Sequence, residues 1–142
     1  MRFMIIVRAT ALSEADPTPT PDPKVFAAMA GYHQELLQAG VLLDANGLQP
    51  SRKGWRVKYC GGKPGLVNGP FPEVKELIGG YTLIQVPTRE AALEWSRRFP
   101  SPFGDDDCEV EVRQLFELDD FEPSPEMDRF REMEAAQGKG SR

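Results

Sequence analysis

Between Gly61 and Pro72 the chain packs four glycines and three prolines into twelve residues. No helix of useful length survives such a run: glycine costs backbone entropy and proline removes backbone donors. The flanks alternate instead. Trp55, Val57 and Tyr59 fall on one side of Trp55–Cys60, with Arg56 and Lys58 on the other, which predicts a strand. Gly61-Gly62 reads as a hairpin turn and Leu66-Val67 as the returning strand, closed by a turn at Asn68-Gly69-Pro70-Phe71. The middle of the chain is therefore antiparallel β structure.

The remaining elements follow from periodicity. Phe3–Ala9 is rich in branched and aromatic residues and reads as a strand buried on both faces. Pro17, Pro19, Pro21 and Pro23 alternate with Thr or Asp and make a stiff surface loop. Asp22-Pro23 is a helix start, and Phe26, Met29, Ala30, His33, Leu36 and Leu37 recur at helical spacing up to a C-terminal Gly40. Val41–Leu43 returns the chain toward the core, and Asn46-Gly47 signals a turn. Glu73–Ile78 predicts a short helical turn and Tyr81–Val86 a buried strand. Thr88 caps a helix with the stripe Ala91, Ala92, Trp95 and Phe99. Cys108–Leu118 alternates as a half-buried strand. Ser124-Pro125 opens a last helix, Glu126–Ala136, whose apolar content is thin: Met127, Phe130 and Met133. It either packs weakly on its own domain or reaches across to a partner. Residues 137–142 are expected to fray.

This order predicts an α+β domain with helices on one face of a sheet. So short a chain has few spare elements to cover the other face, so a second subunit is expected there. The boundaries are a domain over 1–121 and a helix with tail over 122–142.

Composition excludes some functions. A formal charge of −5 and no basic stripe argue against nucleic acid. The small cluster Arg89, Arg97 and Arg98 reads as a solvated helix face. One His and two Cys fall short of a zinc set, and three adjacent aspartates, Asp105–Asp107, lack the spacing of a calcium loop. Cys60 and Cys108 lie in expected strands and read as small buried apolar residues of a cytoplasmic protein. The apolar run near Met1 is too short for a membrane span or a signal-peptide core. No nucleophile motif and no phosphate loop are present, so no metal or cofactor is expected.

The candidate site residues each have two readings. His33 is a pocket-facing acid–base or ligand-binding group, or a satisfied helix residue. Tyr32 hydrogen-bonds in a pocket or packs. Lys75 binds an anion or sits in surface pairs. Glu111 and Arg113 share a strand face, where Arg113 clamps a carboxylate or the two form ion pairs. Asn68 starts a turn or also edges a pocket.

The stretch Asn68-Gly-Pro-Phe-Pro-Glu-Val-Lys-Glu-Leu-Ile-Gly-Gly-Tyr81 resembles the signature of the YCII-related proteins known as the DGPF family. Other pieces agree in order: Arg2–Arg8, Ala39–Leu43 with Gly47–Pro50, Glu90–Trp95 and Glu109–Arg113. The resemblance implies a ferredoxin-like fold whose sheets pair into a dimeric α+β barrel. It also implies a pocket between sheet and helices, near the Asp-Gly-Pro-Phe turn and the dimer interface. Activity in such relatives is largely unassigned. Some have been proposed as enzymes from a His/Asp pair and a likeness to muconolactone isomerases, and many are encoded near extracytoplasmic-function sigma factors.

This sequence departs from that pattern twice. Asn68 replaces the Asp and cannot ionise, so it cannot be a general base. The register of Gly40–Leu43 places the family His nearer Met29 than His33. The leading expectation is a homodimeric small-molecule-binding or sensing module using Tyr32, Asn68, Lys75 and Arg113. The alternatives are a cofactor-free isomerase- or lyase-like enzyme with His33 and Glu111 as its acid–base pair, and a regulator linked to a sigma factor.

Overall fold

The computed structural model describes residues 1–138. The tail 139–142, part of the stretch expected to fray, lies outside the described residues. Strands β1 (Arg2–Arg8), β2 (Leu42–Gly47), β5 (Ile78–Gln85) and β6 (Val110–Gln114) form one antiparallel sheet in the order β2-β5-β1-β6. Strands β3 (Trp55–Cys60) and β4 (Lys63–Asn68) pair only with each other, as a separate ribbon. Helix α1 (Ala11–Glu14) is a single turn, α2 (Pro23–Gln38) and α3 (Arg89–Arg97) are the core helices, and α4 (Pro125–Ala136) ends the described chain. Without the ribbon, α1 and α4, this is a β-α-β-β-α-β order consistent with a ferredoxin-like fold.

The helix starts obey local chemistry. Asp22 accepts a hydrogen bond from the Lys24 N–H at 2.8 Å ahead of Pro23, and Thr88 accepts from Ala91 N–H at 3.1 Å. Ser124 accepts from Met127 N–H at 3.1 Å. In the ribbon, Gly61 and Gly62 both have positive φ, 57° and 79°. Such a pair of angles suits a two-residue hairpin turn and is costly for residues with a Cβ.

The core lies between one sheet face and the two long helices. Phe3, Ile5, Thr82, Ile84 and Val86 from the sheet meet Tyr32, Leu36 and Ala92 from the helices, all buried. Val41, Leu42, Trp95, Phe99, Val110 and Val112 pack around them. In α2 the buried side chains are Tyr32 and Leu36, whereas Phe26 and Leu37 face solvent. The inward stripe is therefore rotated from the expected one and centres on Tyr32.

Several expectations are corrected. β1 is buried on one face only: Phe3 and Ile5 are buried, while Arg2, Met4 and Ile6 are half-exposed. β5 alternates in the same way, with Gly80, Thr82 and Ile84 inward and Tyr81 and Leu83 outward. Both helices lie on one side of the sheet, so nothing in the chain buries the outward residues. Asn46 and Gly47 sit in β2, where pairing with Tyr81 and Gly80 overrides their turn preference. The last strand is shorter than expected, since the chain turns away after Gln114. Cys60 is exposed at the ribbon tip, and Cys108 is half-buried outside any strand.

The chain exposes 10140 Å², against roughly 7,300 Å² for a compact monomer of its 15.8 kDa mass. The ribbon, α4 and the second sheet face contribute to that excess. α4 has no buried residue. It is anchored near the start of β1 by charge: Arg131 donates to Asp119 at 2.8 Å, and Glu134 lies close to Arg2. The hydrogen bond from Arg2 to Glu117, with the charges of Glu117 and Glu134, holds the guanidinium above its ordinary pKa against the opposing effect of burial.

Candidate functional site

The candidate residues divide among three places. The first is the helix side of the sheet. His33 Nδ1 lies 2.8 Å from the Met29 carbonyl, which can only accept, so Nδ1 carries a proton. Nε2 is then free to accept from the Thr82 hydroxyl at 2.7 Å in the neutral ring. Both ring nitrogens are satisfied, and the ring packs edge-on against Tyr32 and Phe99. Thr82 is buried, so its only visible purpose on this side is to meet His33. Tyr32 is buried too and donates to the Trp95 carbonyl at 2.7 Å.

Burial pushes the Tyr32 phenol up to about 12, with Arg98 opposing and Glu35 assisting. An unfolded tyrosine ionises near pH 10. The folded state therefore keeps this proton longer, and stability is fully present below about pH 10 and lost as pH rises toward 12. The loss is expected to be roughly 2 to 3 kcal/mol. Tyr32→Phe is expected to be less stable at neutral pH by about 1 kcal/mol and to lack this alkaline limb. Urea midpoints of both proteins from pH 9 upward should converge; parallel curves would contradict the assignment.

The second place is the outward face of the sheet. Register puts Glu111 opposite Ile6 and Arg113 opposite Met4, so all four side chains share that face. Glu111 accepts from Arg113 at 3.3 Å and lies 3.9 Å from the Arg8 guanidinium. Arg8 also donates to the Lys75 carbonyl, which brings the Lys75 segment to the same end. Across the face, Tyr81 donates to Asp44 at 2.8 Å and accepts from Asn46 at 3.0 Å. Met4, Ile6 and Leu83 lie between these two polar groups, half-exposed.

The third place is the Asn68–Phe71 turn, which includes a cis Gly69-Pro70 bond. Asn68 ends β4 and is exposed. Gly69 N–H donates to the Gly54 carbonyl at 3.0 Å, and Phe71 N–H donates to Ser51 Oγ at 3.0 Å. Ser51 is held in turn by Glu14, which accepts its N–H at 2.8 Å and its hydroxyl. Arg52 donates to the Ala15 carbonyl at 2.8 Å, and Arg56 stacks 3.9 Å over the Phe71 ring. The turn is thus tied to α1 through a carboxylate and a serine.

Within one chain, the structure brings Glu111, Arg113 and the Lys75 segment together. It does not bring His33 to Glu111, because the sheet lies between them, and Asn68 belongs to the other, two-stranded sheet. Sequence reasoning missed Thr82, Arg8, Asp44, Tyr81, Glu14 and Ser51. Tyr81 was legible as a strand residue, but its face depends on the pairing register. Glu14 and Ser51 are 37 residues apart and carry no shared motif.

A cavity of about 300 Å³ opens between α3 and edge strand β6, lined by Phe3, Arg89, Leu93, Ser96, Val112 and Gln114, among others. Arg113 also borders it, but His33, Tyr32 and Glu111 do not. Among the described residues no group of three or more His, Cys, Asp or Glu side chains is placed to hold a metal ion. Among them, too, no helix is long and apolar enough to cross a membrane.

An antiparallel sheet with two helices on one face and satisfied polar groups in the core defines a small α+β domain. Its particular kind is given by comparison: the YCII-related domain matches residues 1–118, and the chain belongs to that family. A relative from Rhizobium meliloti (strain 1021), itself described as uncharacterized, is 26% identical over 76 residues. That match covers 54% of this chain and 61% of the relative, so the chain spans less than two thirds of the relative's length.

Proposed function

We propose that this YCII-related protein is a homodimeric small-molecule-binding module, with two sheets packed outward face to outward face as a dimeric α+β barrel. The observation that carries this reading is the amphipathic outward face. Its centre is apolar, from Met4, Ile6 and Leu83, and its two flanks are polar and internally hydrogen-bonded. A solvated sheet face has no use for a methionine–isoleucine–leucine centre, and the excess exposed area asks for a covering surface.

The ligand site in this reading lies at the rim of the paired sheets, at Arg8, Lys75, Glu111 and Arg113. Arg113 is the most exposed of the ion-pair members there and offers a planar fork to a carboxylate. Glu111 fixes one edge of that guanidinium and leaves the other N–H groups free to donate. A small organic carboxylate with an apolar body suits both parts of the face. Acid–base catalysis by His33 with Glu111 has no support in this geometry, since they occupy opposite faces.

The test is calorimetric titration with aromatic and aliphatic carboxylates, each beside its neutral amide. A carboxylate is expected to bind and its amide at least tenfold less. Arg113→Ala should lose about tenfold or more of that affinity, roughly 1.4 kcal/mol, while still sedimenting as a dimer. Equal binding of acid and amide, or no effect of Arg113→Ala, would sink the site.

A further inference from the structure

Two elements of this chain lack the cover they need to be stable. A two-stranded ribbon by itself is marginal in water, and so is an isolated helix of about twelve residues. The β3–β4 ribbon pairs with no other strand, and α4 buries none of its side chains. Each presents an apolar face to solvent. Cross-strand register puts Trp55, Val57, Tyr59, Pro64 and Leu66 on one side of the ribbon. Trp55, Tyr59 and Leu66 there are 64%, 71% and 72% exposed. On α4, Met127, Phe130 and Met133 recur at helical spacing, with Phe130 47% and Met133 51% exposed.

Their charges are opposite. From Arg52 to Asn68 the chain carries five basic residues and no acidic one. From Glu117 to Glu134 it carries eight acidic and two basic residues. Such complementarity selects partners and steers encounter.

We infer that the β3–β4 ribbon of each protomer clasps the α4 helix of a second copy. Trp55, Tyr59 and Leu66 cover Phe130 and Met133, and Lys58 and Lys63 meet the acidic flank at Glu122 and Glu126. The exchange is reciprocal, so it closes a two-fold dimer without leaving a free ribbon or helix. It rests on the homodimer proposed above and adds to it a second contact, separate from the sheet faces. The basic side chains lie mostly on the ribbon face opposite Trp55 and Tyr59, and Arg56 is already stacked on Phe71. That division favours an apolar protein surface flanked by charge over nucleic acid, where aromatic and basic groups must face one strand together.

The test mixes ordinary and ¹⁵N-labelled full-length protein and applies a zero-length carbodiimide cross-linker. Mixed-isotope links between Lys58 or Lys63 and an acidic residue of Glu122–Glu134 are expected. The double variant Lys58→Glu with Lys63→Glu should weaken dimerisation at least tenfold, and adding Glu122→Lys with Glu126→Lys should restore it. A wild-type dimer that yields no such mixed link, and whose affinity the ribbon variant leaves unchanged, overturns the clasp and leaves the sheet-face dimer standing. A wild-type monomer removes both. A single-stranded oligonucleotide shifted by the wild type but not by the ribbon variant, with dimerisation unaltered, would also overturn the clasp.

Discussion

Replacing Gly69 with alanine is expected to cost the fold about 3 kcal/mol or more. A Cβ at this position would stand 1.8 Å from the Ser51 carbonyl oxygen and 2.6 Å from its carbon. The obstacle is backbone, not the flexible end of a side chain. Ser51 cannot retreat cheaply, because its carbonyl accepts Gly54 N–H at 2.9 Å while Glu14 holds its amide and hydroxyl. Moving it would also release the Phe71 amide. The turn would have to separate from the Ser51–Gly54 segment, and with it the base of the ribbon from α1. Gly47→Ala is the matched control, since a Cβ there meets nothing within 4 Å. It is expected to change stability by less than about 1 kcal/mol. Urea denaturation of the two variants decides the matter: equal, small effects would contradict the packing described for the turn.

Leu83→Glu is expected to weaken dimerisation by about a thousandfold, roughly 4 kcal/mol, while leaving a folded protomer. Leu83 sits on the outward face beside Tyr81 and against Met4 in register, so a charge there would be buried unpaired between two sheets. In the single protomer the same charge faces water. The neighbouring residue gives the opposite result. Ile84 is fully buried under the helices, so Ile84→Glu is expected to prevent folding altogether. Sedimentation and far-ultraviolet circular dichroism of the two variants separate a lost interface from a lost core. If Leu83→Glu unfolds the chain as Ile84→Glu does, the outward face is not what it is described to be.

That one-residue contrast also explains what could be read from the sequence. Strands and helices announced themselves through strong local signals: Asp22-Pro23, Thr88 and Ser124-Pro125 as caps, Gly61-Gly62 as a hairpin. The antiparallel α+β arrangement followed from them. The number of covered faces did not. Phe3–Arg8 and Tyr81–Gln85 are apolar at nearly every position, and such a run looks the same whether its second face is buried by the same chain or by another. The candidate site was legible in part. Glu111 and Arg113, two apart on an alternating strand, share a face as expected, because that follows from the period of the strand alone. His33 was found as a helix residue of the apolar stripe, but its partner Thr82 lies 49 residues away and depends on how α2 crosses the sheet. The link from Glu14 through Ser51 to Phe71 is tertiary throughout and left no sequence trace.

The turn at Asn68 is, on this structure, a rigid corner between the ribbon and the rest of the chain. Its asparagine faces solvent, away from the His33–Thr82 pair and from the charged end of the outward face. The replacement of the family aspartate therefore falls on a residue with no ionisable neighbour in its own hydrogen-bond network, which runs through Gly54, Ser51 and the Phe71 amide.

Sedimentation equilibrium of the unmodified protein at micromolar concentration tests the paired-sheet account most directly. Two copies of a 15.8 kDa chain should sediment as one particle of twice that mass. A single species of 15.8 kDa at that concentration would contradict it.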